Sequence, residues 1–173
     1  MTTKGIFIIG LNGAGKTTLG CALAERLKWF RMDGEDYYFP DMTVPFALAR
    51  SREDVEQLML SDIRLNGNFV LSSVSADLCE EIRAYCALAV WLRAPKSVRM
   101  SRIEQRELAR FGARVLPGGD MYEQQRQFHE YAGKRDESIV MRSIAALNCP
   151  ALMLDSTRPI ENSVRQIIDA LSL

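Results

Sequence analysis

The residues best suited to chemistry stand close together near the start of the chain. Gly10-Leu11-Asn12-Gly13-Ala14-Gly15-Lys16-Thr17-Thr18 fits the spacing glycine, four residues, glycine, lysine, serine or threonine. Glycines at 10, 13 and 15 free the backbone to turn its N–H groups around an anion, which a Cβ would obstruct. Gly10, Asn12, Gly13, Ala14, Gly15 and Thr18 are therefore candidate phosphate contacts. Lys16 is placed to reach β and γ phosphates, and the Thr17 hydroxyl to ligate the Mg2+ that accompanies ATP.

Two other groups have the right chemistry to complete such a site. Asp33, Glu35 and Asp36 cluster within four residues, and Arg99, Arg102, Arg106 and Arg110 recur at spacings of three and four, which puts them on one helical face. Phosphoryl transfer is mostly positioning and charge stabilisation, and one arginine supplied at the transition state is worth about a thousandfold or more. Each group also has a plainer reading. The arginines can form a solvated face paired with Glu104 and Glu107, and the acids can cap a turn.

These residues need elements to hold them. The apolar run Ile6-Phe7-Ile8-Ile9 reads as a buried strand running into the glycine loop, and Leu19, Ala22, Leu23 and Leu27 mark a helix from Lys16 whose N-terminus faces the anion. A short second strand over 29–32 delivers the acidic cluster at its carboxyl end, the edge where open α/β sheets bind ligands. Residues 37–45, aromatic and proline-bearing, read as an irregular loop, and Ser51-Arg52-Glu53-Asp54 opens a helix that Asn66-Gly67-Asn68 stops. Strands are expected at 69–74, 88–92 and 150–154, with helices over 77–85, through the arginine stretch to Phe111, over 121–147, and at the end of the chain. Strands alternating with helices predict a parallel sheet covered on both faces.

With these elements placed, the chain resembles the small P-loop kinases of the nucleoside-monophosphate kinase group, which includes adenylate, shikimate and gluconate kinases. The resemblance implies an α/β, three-layer P-loop NTP hydrolase fold: a five-stranded parallel sheet flanked by helices, with a lid. It implies one kinase domain over 1–173, with a substrate lobe near 37–66 and a lid near 110–123. On that footing Arg102 and Arg106 lie at the base of the lid, with Arg110 and Arg114 within it, all towards the transferring phosphate. Arg158 and Pro159, in the turn 155–159, would pack against adenine. Ser72 and Ser73 stand where a Walker B aspartate would hold the metal, as in shikimate and gluconate kinases. Asp33 or Glu35 would then help hold Mg2+ through water, and Asp36 or Asp33 would orient or deprotonate the acceptor.

The implied activity is Mg2+-dependent transfer of the γ-phosphoryl group of ATP to a hydroxyl or phosphate of a small-molecule acceptor. The alternative is a nucleotide-binding or NTP-hydrolysing regulatory protein without an acceptor. The acceptor stays open, because the residues diagnostic of gluconate, shikimate and adenylate kinases are not matched. Arg50 or Arg52 has the guanidinium to grip a phosphate or carboxylate.

Composition narrows the partners. The chain has 173 residues, enough for one domain, and its 22 basic and 22 acidic residues balance, so net charge implies neither nucleic acid nor an anionic membrane. The reading is a cytoplasmic monomer or homodimer, with no signal peptide ahead of the first strand and no run of membrane-spanning length. One histidine, His129, excludes histidine-clustered metal chemistry. Cys21, Cys79, Cys86 and Cys149 show no metal-type spacing and read as incidental thiols.

Overall fold

A computed structural model gives the architecture and describes residues 2–40 and 49–171. Its strands are β1 (Gly5–Ile9), β2 (Phe30–Asp33), β3 (Phe69–Ser73), β4 (Cys86–Arg93) and β5 (Ala151–Asp155), all parallel in the order β2-β3-β1-β4-β5. The expected five-stranded parallel sheet is present. All five residues of β1 are buried, which a strand in the middle of a doubly covered sheet requires.

Alternation along β1 divides the interior into two cores. Phe7 and Ile9 point to one face, where they join Phe69, Leu71 and the apolar sides of α3 (Arg52–Asn66), α4 (Glu80–Ala84) and α7 (Ser138–Ala145). Ile6 and Ile8 point to the other, against Leu19 and Leu23 of α1 (Lys16–Leu27) and Ile167 of α8 (Ile160–Ala170). A period of two in five residues thus builds both helical layers.

Several boundaries depart from expectation for local reasons. Strand β2 starts at Phe30 because the Trp29 N–H still donates to Ala24 at the end of α1, where Lys28 turns left-handed at φ 56°. Tyr37 and Tyr38 belong not to a loop but to a short helix, α2 (Gly34–Tyr38), capped by the Asp33 carboxylate, which accepts from the Glu35 N–H. Residues 41–48 of the expected loop lie outside the described residues. Ser51 caps α3 as expected, accepting from the Asp54 N–H at 3.1 Å. Residues 77–79 are not helical, so α4 is shorter than expected.

After α5 (Lys96–Phe111), a 3-10 turn (Gly112–Val115) leads back into α6 (Tyr122–Lys134). The Met121 N–H donates to the Arg114 carbonyl at 3.0 Å, closing the expected lid region 110–123 into a compact corner. The helix expected over 121–147 is two, α6 and α7. Extended backbone at Arg135 ends the first, and Asp136 accepts from the Ser138 N–H at the start of the second. Among the described residues, no helix is long and apolar enough to cross a membrane.

Candidate active site

The glycine loop joins the end of β1 to the start of α1. Gly13 at φ 78° and Gly15 at φ 94° adopt the left-handed region that favours glycine. At Gly13 a Cβ would also stand 2.4 Å from the carbonyl oxygen of Arg99, so space and backbone geometry exclude a side chain together. Helix α1 begins with no side-chain cap and no acid in its first turn, leaving its N-terminal N–H groups to an anion.

Lys16 lies folded against the loop, its Nζ donating to the Leu11 carbonyl at 3.3 Å. Burial pushes its ammonium down to about 8, against the pull of Glu35 and Asp33 in the other direction. Next to it, the Thr17 hydroxyl donates to Asp33 Oδ2 at 2.7 Å. The acidic strand end is thereby brought onto the loop threonine, 16 residues away in sequence. Ser72, only 1% exposed, donates from Oγ to the Lys16 carbonyl at 3.1 Å. The strand-three hydroxyl at the Walker B position is therefore tied to the first turn of α1, and Gly20 leaves room for it, since a Cβ there would lie 2.4 Å from Ser72 Oγ.

Above the loop lies a cleft of about 720 Å3 lined by Asn12, Gly13, Gly15, Lys16, Thr17 and Thr18, by Arg31, Asp33, Glu35 and Asp36, and by Arg102, Arg106, Arg110 and Arg158. Gly10 and Ala14 support it from below: a Cβ on Gly10 would stand 2.5 Å from the Leu92 carbonyl oxygen, and Ala14 is fully buried.

The arginines have different occupations. Arg102 donates to both the hydroxyl and the carbonyl of Ser156 at 2.8 Å and reaches the Ala14 carbonyl at 3.4 Å, clamping the loop to the turn after β5. Arg106 pairs with Glu107 at 2.7 Å, and Glu107 is buried. The Arg110 guanidinium sits 5.1 Å from the centre of the Phe111 ring. Arg158 is largely exposed at the cleft rim, and Pro159 caps α8 without lining the cleft. Arg114 stands apart from the cleft lining, in a 2.7 Å pair with Asp120. On the acidic side Arg31 pairs with Asp36 at 3.0 Å and approaches Asp33 at 3.8 Å. Arg50 donates to the Tyr37 carbonyl at 2.8 Å, and Arg52 pairs with Glu56 and Asp77.

Sequence reasoning missed three arginines of the site. Arg31 was hidden in the second strand. Arg99, read only as part of the basic face, is 5% exposed and donates to the Asn12 carbonyl at 3.1 Å. Arg135, from the α6–α7 break, donates to the Asn12 side chain at 3.2 Å, while its Nε is buried with no hydrogen-bond partner among the described residues. The one signal for Arg135 was the capping aspartate beside it, Asp136. Among the described residues, no cluster of three His, Cys, Asp or Glu could hold a metal ion by itself.

The chain is similar to known proteins. A family model described as an AAA domain matches residues 6–110, ending where the lid region begins. The uncharacterized protein YqaC of Bacillus subtilis is 32% identical over 98% of both chains. A shikimate kinase of Bradyrhizobium diazoefficiens is 32% identical over 60% of this chain and 55% of its own. Among solved structures, a shikimate kinase from Bacteroides thetaiotaomicron superimposes with a TM-score of 0.60 at 20% identity, over 99% of this chain and 100% of that one. A gluconokinase from Sinorhizobium meliloti gives 0.54 at 17% identity, over 98% and 92%.

Proposed function

Because the chain belongs to the P-loop family described as an AAA domain and has the fold of the small P-loop kinases, we propose that it transfers the γ-phosphoryl group of ATP to a small-molecule hydroxyl. The observation that carries this reading is the 2.7 Å bond between Thr17 and Asp33. It sets a carboxylate from the acceptor side of the sheet against the residue that follows the phosphate-binding lysine. That pair equips the site for Mg2+-nucleotide, and Asp36 beside it in the cleft supplies a second carboxylate that a protein without an acceptor has no need of.

The residues divide the work. Loop N–H groups from Gly13 to Thr18 and the Lys16 ammonium hold the β and γ phosphates. The Thr17 hydroxyl and the Asp33 carboxylate are hard oxygen donors of the kind Mg2+ takes, with Glu35 near enough in the cleft to act through water. When bound, the ion would neutralise phosphate charge. Arg106 exchanges Glu107 for the transferring phosphate, and Arg110 and Arg135 add positive charge from the lid side. Arg102 acts by positioning, since Ser156 and Ala14 occupy its donors. Asp36 receives the acceptor proton, as Asp33 is engaged by Thr17. Arg158, at the cleft rim, flanks the adenine.

A hydroxyl acceptor is favoured over a phosphate because Arg50 and Arg52, the guanidinium groups suited to an acceptor phosphate, are held by Tyr37, Glu56 and Asp77. The test is ADP release from Mg2+-ATP in the presence of sugar acids, sugars, nucleosides, shikimate-like polyols and nucleoside monophosphates, with mass analysis of the product. Stimulation by a hydroxyl compound, with its phosphorylated form as product, is the expected result. Hydrolysis unchanged across the whole panel overturns the kinase reading and leaves a regulatory NTP-hydrolysing protein.

A further inference from the structure

We propose that Cys86 and Cys149 are a redox modification site, forming a reversible disulfide at the base of the excursion that joins β4 to β5. Their sulfur atoms lie 3.0 Å apart, although 63 residues separate them in sequence. Cys86 is the first residue of β4, and Cys149 precedes the Pro150 that leads into β5. The β4–β5 ladder fixes the pair from one side: Ala89 is in register with Ala151, and the Ala89 N–H donates to the Pro150 carbonyl at 2.9 Å. Both thiols pack against the core that contains Phe7, Val140 and Leu147, so neither swings away without opening a cavity. Two sulfurs are too few for a structural metal site, and no group of three metal-type ligands occurs among the described residues.

The bond would close a defined part of the molecule. Between the two cysteines lie Arg99, Arg102, Arg106, Arg110, Arg114 and Arg135. A link between 86 and 149 therefore fastens the two ends of the segment that brings these cations, Arg114 apart, to the loop and its cleft. It also removes loop-closure freedom from the unfolded chain, the larger effect for a longer loop.

The reaction balances with a small disulfide as oxidant, and oxidised glutathione is the probe. Both cysteines are half-buried, and Cys149, flanked by exposed Asn148 and exposed Pro150, is the one assigned the first attack. Its thiolate attacks one glutathione sulfur, releases one glutathione thiolate and forms a mixed disulfide. Cys86 then gives up its proton to solvent and displaces the second glutathione from Cys149. Two protein thiols are oxidised by two electrons in all, and one glutathione disulfide is reduced to two thiols. Burial and the neighbouring Cys149 push the Cys86 thiol well above its ordinary range, which disfavours Cys86 for the first attack, and the part due to Cys149 is lifted once that sulfur is in the mixed disulfide.

The test equilibrates the full chain with graded ratios of reduced to oxidised glutathione. Intact mass should fall by two hydrogens, and digestion should yield one cross-linked peptide joining Cys86 to Cys149. Tm should rise by about 5–10 °C and return to its starting value with excess dithiothreitol. Cys79→Ala should behave as wild type, and Cys149→Ala should form no intramolecular link. A stable glutathione adduct at Cys149, a link to Cys79 or Cys21, or a cross-link that leaves Tm unchanged overturns the proposal. Because wild-type protein supplies the decisive peptide, a variant that fails to fold does not blunt the test. None of these outcomes depends on turnover, so the kinase reading stands or falls separately.

Discussion

On the loop side of the cleft the backbone carries the geometry, whereas across it side chains hold one another. Gly13 and Gly15 are left-handed, Gly10 and Gly13 pass within contact of the Leu92 and Arg99 carbonyls, and Arg99 and Arg102 bond to backbone oxygens of the loop. The acidic side is a chain of ion pairs and hydrogen bonds: Arg31 with Asp36 and Asp33, Asp33 with Thr17, and Tyr37 with Asp62. Backbone-built sites bind what every relative binds, and side-chain-built sites can be retuned one substitution at a time. That difference explains why the donor half fits the P-loop pattern while the acceptor half matches no diagnostic set.

The largest effect should come from Lys16→Ala, which is expected to lower turnover by about a thousandfold or more. Turnover near wild type would break the comparison at its strongest point. Proton linkage sharpens it. In the ligand-free protein, burial holds the Lys16 ammonium at about 8, below its ordinary 10.5. The unfolded chain thus binds that proton more tightly than the folded one. The buried charge costs about 3 kcal/mol below pH 8, and that penalty fades as pH rises towards 10.5. Nucleotide affinity should run the other way, weakening as pH rises through about 8, because bound polyphosphate favours protonated Lys16. Calorimetric titration across pH 6–10 (chosen to bracket the shift, about two units either side) checks this, and Lys16→Met should flatten the profile.

Next in size is Gly13→Ala, which meets both a positive φ and the Arg99 carbonyl at 2.4 Å. A loss of about 3 kcal/mol or more in thermal stability, with nucleotide binding lost, is expected. Gly67 has nearly the same φ, 77°, but nothing within 4 Å of its added Cβ. Gly67→Ala meets backbone strain alone and should cost less, about 1–3 kcal/mol, with nucleotide binding intact. Equal losses at the two sites would mean that strain alone, and not the packed loop, sets the sensitivity.

On the acidic side, Asp33→Asn should lower kcat about a hundredfold and raise the Mg2+ requirement. Asp36→Asn should act mainly on acceptor-dependent turnover and leave ATP binding intact. Should Asp36→Asn weaken ATP binding as much as Asp33→Asn does, the two halves are not separable. The smallest contrast lies between an arginine that lines the cleft and one that does not. Arg106→Ala should lower kcat at least about tenfold more than it weakens ATP binding. Arg114→Ala, with its partner Asp120 on the exposed corner, should change kcat by less than about threefold.

How much of this was legible follows the same division. The glycine loop, β1 and α1 are contiguous, and their meaning is carried by residue spacing, so sequence alone located them. Ser51 as a helix cap and the arginine face of α5 were legible for the same reason. Arg135 was not, because helical periodicity runs through 121–147 and only Asp136 marks the break. The Cys86–Cys149 contact has no spacing signal, since parallel strands bring together residues that only the crossover makes neighbours. The choice between Asp33 and Asp36 likewise needed a distance, the one from Thr17.

The central position of β1 has a consequence for how the molecule is made. Its neighbours are β3 and β4, so the strand that carries the glycine loop leaves the ribosome before both of its partners and cannot be paired on both edges until residues 86–93 have followed. The loop waits longer still, for Arg99 and Arg102 to bond to it. A ribosome-bound chain from which Arg102 has not yet emerged, with roughly 30–40 residues still within the ribosome at the 3.3–3.6 Å reach of an extended residue, should bind no nucleotide. Nucleotide binding then selects chains whose long-range pairings have already formed.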